Sequence, residues 1–166
     1  SNHTAFDSFT FHDLTEEIPP IAKTLKEQGM DFSCIYTGYL GSERQLKIVS
    51  DFIDDFGENA TVFIDPVMGD FGRLYSGFDE SFAKKMAELC AKADVIVPNL
   101  TEACYMLGEP FHQLEDEDEA KDILRRLCDL GAKCAVMTGM IQRDGMMGAV
   151  TYDSVNDKFF SHYASR

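Results

Sequence analysis

Apolar residues along this chain alternate between short uninterrupted runs and stripes at helical spacing. Cys34-Ile35-Tyr36, Thr61-Val62-Phe63-Ile64, Val95-Ile96-Val97 and Cys134-Ala135-Val136-Met137 are the runs, and their lack of polar alternation predicts parallel strands covered on both faces. Between the first two, Ser42-Glu43-Arg44-Gln45 has the Ser-x-x-Gln form of a capping box, and Leu46, Val49, Ile53 and Phe56 follow on one helical face. Asp79 is placed to cap a helix carrying Phe82, Met86 and Leu89. A short helix is predicted from about Thr101 to Leu107 with Gly108 as its terminator. A longer one follows the acidic stretch Glu115 to Glu119 and buries Ile123, Leu124, Leu127 and Leu130. Upstream, Leu14, Ile18, Ile21, Ala22 and Leu25 predict another helix, provided that Pro19 and Pro20 fall in its first turn. Met147 to Tyr152 and Lys158 to Tyr163 flank the turn-forming Asp153-Ser154-Val155-Asn156-Asp157, which predicts an antiparallel hairpin. Strands alternating with helices of this length predict a mostly parallel α/β sheet whose chemistry lies at the carboxyl ends of its strands. With no repeat, low-complexity stretch or Gly/Pro/Ser-rich linker, residues 1–166 are expected to form a single domain.

Composition narrows the function. A hydrophobic content of 45% supports a real core, and a net charge of −14 repels phosphate backbones and anionic lipid, so nucleic-acid and membrane partners are not expected. No apolar run approaches bilayer length and the first residues carry no signal-peptide pattern, so the expected location is cytoplasmic. The five cysteines are widely spaced, with no Cys-x-x-Cys pair, and point to neither a disulfide framework nor a zinc site. The four histidines form no His-Glu-x-x-His pattern.

Each strand-end loop carries polar groups that a phosphotransferase could use. Thr37-Gly38-Tyr39 offers a close-approach glycine and a ring that could stack on a flat heterocycle, or it is an ordinary turn with a packed tyrosine. Asp65-Pro66-Val67-Met68-Gly69-Asp70 puts one carboxylate directly after an apolar strand and another five residues on. Such a pair could hold magnesium against nucleotide phosphates; equally, Asp65 could cap the turn and Asp70 be solvated. Gly72, Arg73 and Tyr75 suggest a flap. In Pro98-Asn99-Leu100-Thr101-Glu102, Glu102 could orient metal-bound water, or Thr101 and Glu102 could simply stabilise a helix start. Thr138-Gly139 could lay a hydroxyl and an amide against a phosphate. The glycine patterns of P-loop and Rossmann proteins and the Gly-x-Ser-x-Gly elbow of α/β hydrolases are all missing.

In this order, Ser1-Asn2-His3-Thr4, Thr37-Gly38-Tyr39-Leu40-Gly41-Ser42, Asp65-Pro66-Val67-Met68-Gly69-Asp70, Pro98-Asn99-Leu100-Thr101-Glu102 and Val136-Met137-Thr138-Gly139 resemble the pyridoxal kinases of the ribokinase-like superfamily. The resemblance implies a three-layer α/β/α fold with a mostly parallel central sheet and a C-terminal antiparallel hairpin. It implies transfer of the ATP γ-phosphate to the 5′-hydroxyl of pyridoxal, pyridoxine or pyridoxamine, with Mg2+ and a monovalent cation such as K+, in a homodimer. By position, Thr4, Ala5 and Tyr39 match the vitamin pocket; Asp65, Val97, Asn99, Glu102 and Thr138 match the ATP site; Asp70 and Glu102 match the metal site.

The family places a strand and glycine-containing loop before Asn-His-Thr, and a Gly-Thr-Gly-Asp motif after the hairpin whose aspartate acts as general base. Neither occurs in these residues. The resemblance therefore implies an incomplete fold with no catalytic base, and a 166-residue chain that does not phosphorylate pyridoxal by itself. Two alternatives are a hydroxymethylpyrimidine kinase, which shares Asp-Pro-Val-Met, and a non-catalytic module that keeps a nucleotide or vitamin pocket.

Overall fold

A computed structural model describes residues 8–114, 116–141 and 146–165, which places Thr4 and Ala5 outside the described residues. The chain divides into two compact units, one up to Met30 and one from Asp31 onward. In the first, a 3-10 turn at Thr15–Glu17 leads into α1 (Ile18–Glu27). Pro19 and Pro20 sit in the first turn of α1, where a missing N–H costs nothing. Leu14, expected on the helical stripe, instead precedes the 3-10 turn. Asp13 draws the chain into that turn, its Oδ1 accepting from the Thr15 amide at 2.8 Å.

The second unit is built on a six-stranded sheet. Its strands lie side by side as β1 (Cys34–Thr37), β2 (Thr61–Ile64), β5 (Val95–Ile96), β6 (Cys134–Ile141), β7 (Met146–Asp153) and β8 (Lys158–Ser165). The first four are parallel, and β6, β7 and β8 are antiparallel. This is the mostly parallel sheet with a C-terminal hairpin that the sequence predicts. A separate two-stranded ribbon, β3 (Gly69–Asp70) with β4 (Arg73–Leu74), forms the flap. Four helices pack in one row on the sheet: α2 (Glu43–Phe56) against α3 (Glu80–Cys90), α3 against α4 (Leu100–Leu107), and α4 against α5 (Glu117–Asp129).

The caps explain where these helices begin. Ser42 Oγ accepts from the Gln45 amide at 3.2 Å, while Gln45 Oε1 takes the Gly41 amide at 2.6 Å, one residue before the partner a reciprocal capping box would use. Asp79 caps α3 by accepting from the Phe82 amide at 2.9 Å, and Gly108, at φ 71°, ends α4 in the left-handed conformation. Asp116 caps α5, so Glu117, Asp118 and Glu119 form its first turn, at the positive end of the helix dipole, rather than preceding it.

Three expectations about burial are corrected. In β1, Cys34 and Tyr36 are exposed while Ile35 and Thr37 are buried, so this run is one-sided. Leu130 is 40% exposed because α5 ends at Asp129 and the residue turns off its buried face. Ile64, Ile96, Ile123, Leu124, Leu127 and Met137 are completely enclosed, as predicted, whereas the α1 stripe buries no residue and Ile21 is 55% exposed. Truncating Leu124 to Ala leaves a cavity beneath α5 and is expected to destabilise the protein by about 3 kcal/mol in urea unfolding.

Candidate active site

Because β1, β2, β5 and β6 are parallel and in register, their carboxyl ends form one rim. Thr37 pairs with Ile64, Ile64 with Ile96, and Ile96 with Ala135. Bonding continues past the strand ends: the Asp65 amide donates to the Thr37 carbonyl, the Val97 amide to the Ile64 carbonyl and the Thr138 amide to the Pro98 carbonyl, each at 3.0 Å. Asn99 and Thr138 form an isolated parallel bridge. Asp65, Val97, Asn99 and Thr138 are thus adjacent although they are scattered over the sequence. Thr138 was expected just after its strand, but β6 runs on to Ile141. Thr138 and Gly139 lie where the pairing with β7 shifts register, and the positive φ of Gly139 (70°) accommodates the irregularity.

Glu102 ties the start of α4 to the loop after β2. It is 3% exposed; its Oε2 accepts from the Asn99 amide at 2.8 Å and its Oε1 from the Met68 amide at 3.2 Å. Asn99 Oδ1 accepts from the Glu102 amide at 3.0 Å, completing a capping box at the start of α4. The helix-stabilising role considered for Glu102 is therefore real, and the same carboxylate also anchors the loop after β2. Burial pushes its carboxyl up to about 7, against the lowering effect of the Asn99 and Met68 amides; the nearby Asp65 charge adds to the rise.

The flap is tied to the same helix start. Asn99 Nδ2 donates to the Gly69 carbonyl at 2.8 Å, and the Gly72 amide to Thr101 Oγ1 at 2.9 Å. Gly72 has φ 77°, and a Cβ there would lie 2.6 Å from the Phe111 ring. Gly72→Ala is expected to lower stability by about 2 kcal/mol in thermal unfolding, through a backbone strain and a clash that act together. Asp70 is exposed, and its Oδ1 accepts from the following Phe71 amide at 2.8 Å. Asp65 Oδ2 accepts from the Tyr36 hydroxyl at 3.0 Å, a bond that holds the Tyr36 phenol above its ordinary range. The Tyr75 phenol is also raised, first by burial and then by the charges of Asp70, Glu102 and Asp65. Tyr39, 53% exposed, follows β1 and packs its ring 5.8 Å from that of Phe78.

Tyr36 was not among the predicted site residues. The signal was its place in β1, directly before Thr37, where a strand's alternation turns its ring away from the buried side. Among the described residues no three His, Cys, Asp or Glu side chains stand together as a metal cage. The donors fit magnesium nonetheless, because that ion keeps water ligands and is held by one or two carboxylates together with substrate phosphates. Asp65 is bonded through Oδ2 to Tyr36 and Asp70 through Oδ1 to Phe71, whereas inward-facing Glu102 has both oxygens engaged. Cys34, Cys90, Cys104, Cys128 and Cys134 are all free thiols. No helix among the described residues is long and apolar enough to cross a membrane.

Comparison with known proteins bears on this arrangement. The model of the phosphomethylpyrimidine kinase family matches residues 12–164. A crystal structure of a Bacteroides thetaiotaomicron protein, assigned provisionally as a phosphomethylpyrimidine kinase, superposes with a TM-score of 0.95 at 41% identity, over 100% of this chain and 58% of that one. A second crystal form of it, with pyridoxal, gives 0.91 at 42% identity, over 99% and 58%. The pyridoxal kinase PdxY of Actinobacillus pleuropneumoniae is 32% identical over 133 residues, 75% of this chain and 46% of its own length. The hydroxymethylpyrimidine/phosphomethylpyrimidine kinase of Bacillus subtilis is 28% identical over 130 residues, 78% and 45% respectively. The chain spans about half the length of the curated relatives it matches. A family match that runs through every strand of the sheet, with pyridoxal kinases among the relatives, places this chain in the phosphomethylpyrimidine kinase family.

Proposed function

We propose that the complete protein is a pyridoxal kinase, transferring the γ-phosphate of ATP to the 5′-hydroxyl of pyridoxal, pyridoxine or pyridoxamine in pyridoxal 5′-phosphate salvage. The observation that carries this is the single rim on which Asp65, Asn99, Glu102 and Thr138 meet at the ends of β2, β5 and β6. The structural relative solved with pyridoxal favours the vitamin over a pyrimidine alcohol as acceptor.

Phosphoryl transfer asks the protein chiefly for positioning and charge compensation. In this reading Val97, Asn99 and Thr138 line the nucleotide, with Thr138 offering a hydroxyl to phosphate. Asp65 and Asp70 would offer hard oxygens to Mg2+, which would offset phosphate charge. Glu102 acts from beneath, holding the Met68 and Asn99 backbones in place, and its carboxylate would add negative charge beside the metal. Tyr39 would face the vitamin ring, and Thr4 and Ala5, which lie outside the described residues, are assigned to the vitamin pocket by the family resemblance alone. A monovalent cation such as K+, a homodimeric assembly and a cytoplasmic location belong to the same proposal.

The test is a parallel assay of the complete protein with pyridoxal and with hydroxymethylpyrimidine as acceptors. Pyridoxal is expected to be the better substrate by kcat/KM, and preference for the pyrimidine would replace this function with the alternative. Asp65→Ala is expected to lower kcat/KM for magnesium-ATP roughly 100-fold, and unchanged kinetics would remove Asp65 from the site.

A further inference from the structure

At the tip of the flap, Phe71 is 88% exposed. It occupies the first place of a two-residue hairpin turn between β3 and β4, and both turn residues have positive φ, 49° at Phe71 and 77° at Gly72. Turns of this kind favour Asn, Asp or Gly in that place, and a bulky side chain there is strained. The exposure is not a matter of a loose loop. The Gly72 amide is bonded to Thr101 Oγ1 and Asn99 Nδ2 to the Gly69 carbonyl, while the Tyr75 amide donates to the Met68 carbonyl at 2.9 Å. Phe111 closes the back of the turn against Gly72. A strained aromatic residue is thus held in water by a well-anchored hairpin, and backbone strain of this kind concentrates at ligand clamps.

The anchors say which ligand. They run to Asn99, Thr101 and Met68, around the helix start assigned above to the nucleotide, whereas the ring on the vitamin side, Tyr39, is already paired with Phe78. We propose that Phe71 is a nucleotide-contacting residue, its ring serving as an apolar wall against a bound purine nucleoside triphosphate. The proposal rests on the kinase function above, and it adds a specificity residue to that site.

Two variants of the complete protein test it. Phe71→Asn suits the left-handed turn, so its thermal midpoint is expected to be equal or higher; its KM for ATP should rise about tenfold, the scale of a lost aromatic stacking contact. The KM for pyridoxal should stay within about twofold, since no such contact is lost there. Phe71→Trp should keep the ATP KM within about threefold, because an indole offers the same kind of face. Its added indole emission, read against the unsubstituted protein, should respond to magnesium-ATP and not to pyridoxal alone. An unchanged ATP KM in Phe71→Asn, an indole that ignores ATP, or a change of oligomeric state in Phe71→Asn would each overturn the proposal. The emission titration needs no turnover. A protein that phosphorylates no pyridoxal but shows the ATP response would overturn the function proposed above while upholding the contact.

Discussion

Glu102→Ala is expected to destabilise the protein by about 3 kcal/mol, measured as a lower urea midpoint, because it leaves two amides without an acceptor at a largely buried position. Those amides belong to Met68 and Asn99, on different segments of the rim. The loss should therefore spread beyond one helix cap. Hydrogen exchange is expected to accelerate both at the start of α4 and in the loop between β2 and the flap, since one carboxylate closes both. If exchange quickens only at residues 99–102, the contact to Met68 contributes nothing. The variant should also lose turnover in the complete protein, as the backbone carrying Asp65 and Asp70 loses its anchor.

The second large effect is on pH dependence. The Glu102 carboxyl is raised from 4.5 to about 7 in the folded protein, chiefly by burial. A group that binds its proton more tightly when folded stabilises the fold fully below its unfolded pKa, and that stabilisation is lost as pH rises through the folded value. Wild-type stability should accordingly fall by about 2–3 kcal/mol between pH 5 and pH 8 from this group alone. Mutual repulsion among 29 acidic against 15 basic residues pushes in the same direction, so the measurement must be differential. Glu102→Gln cannot titrate but keeps every other charge. The gap between wild type and this variant should shrink or reverse toward pH 8 by the stated amount, with divalent metal chelated throughout. Parallel pH profiles would mean that Glu102 stays ionised across the range.

Much of the architecture was legible in the chain. Ser42, Asp79 and Gly108 mark helix ends because capping satisfies local backbone groups, and the four apolar runs mark strands because a sheet covered by helices needs them. What escaped the sequence depended on distant partners. The length of β6 could not be read, because its extension beyond Met137 exists only through pairing with β7 across a register shift. The flap's strands are two residues each, too short for any periodicity to show. Tyr36 sits in an apolar run, and its exposure follows from the one-sided burial of β1.

The site divides in the same way. Asp65, Asn99, Glu102 and Thr138 could be named in advance, because polar groups following apolar strands fall at the carboxyl edge of a parallel sheet. Their roles within it could not be assigned, and for Glu102 both alternatives were open. The fold resolves the structural half of that choice by setting Met68, 34 residues away in sequence, against the carboxylate. Local patterns thus determined the elements, their caps and the polar residues at strand ends, since these depend on neighbours within a few positions. The order β1-β2-β5-β6, the burial of Glu102 and the anchored exposure of Phe71 arise only when distant segments pack, because each is a relation between surfaces that no short stretch of chain contains.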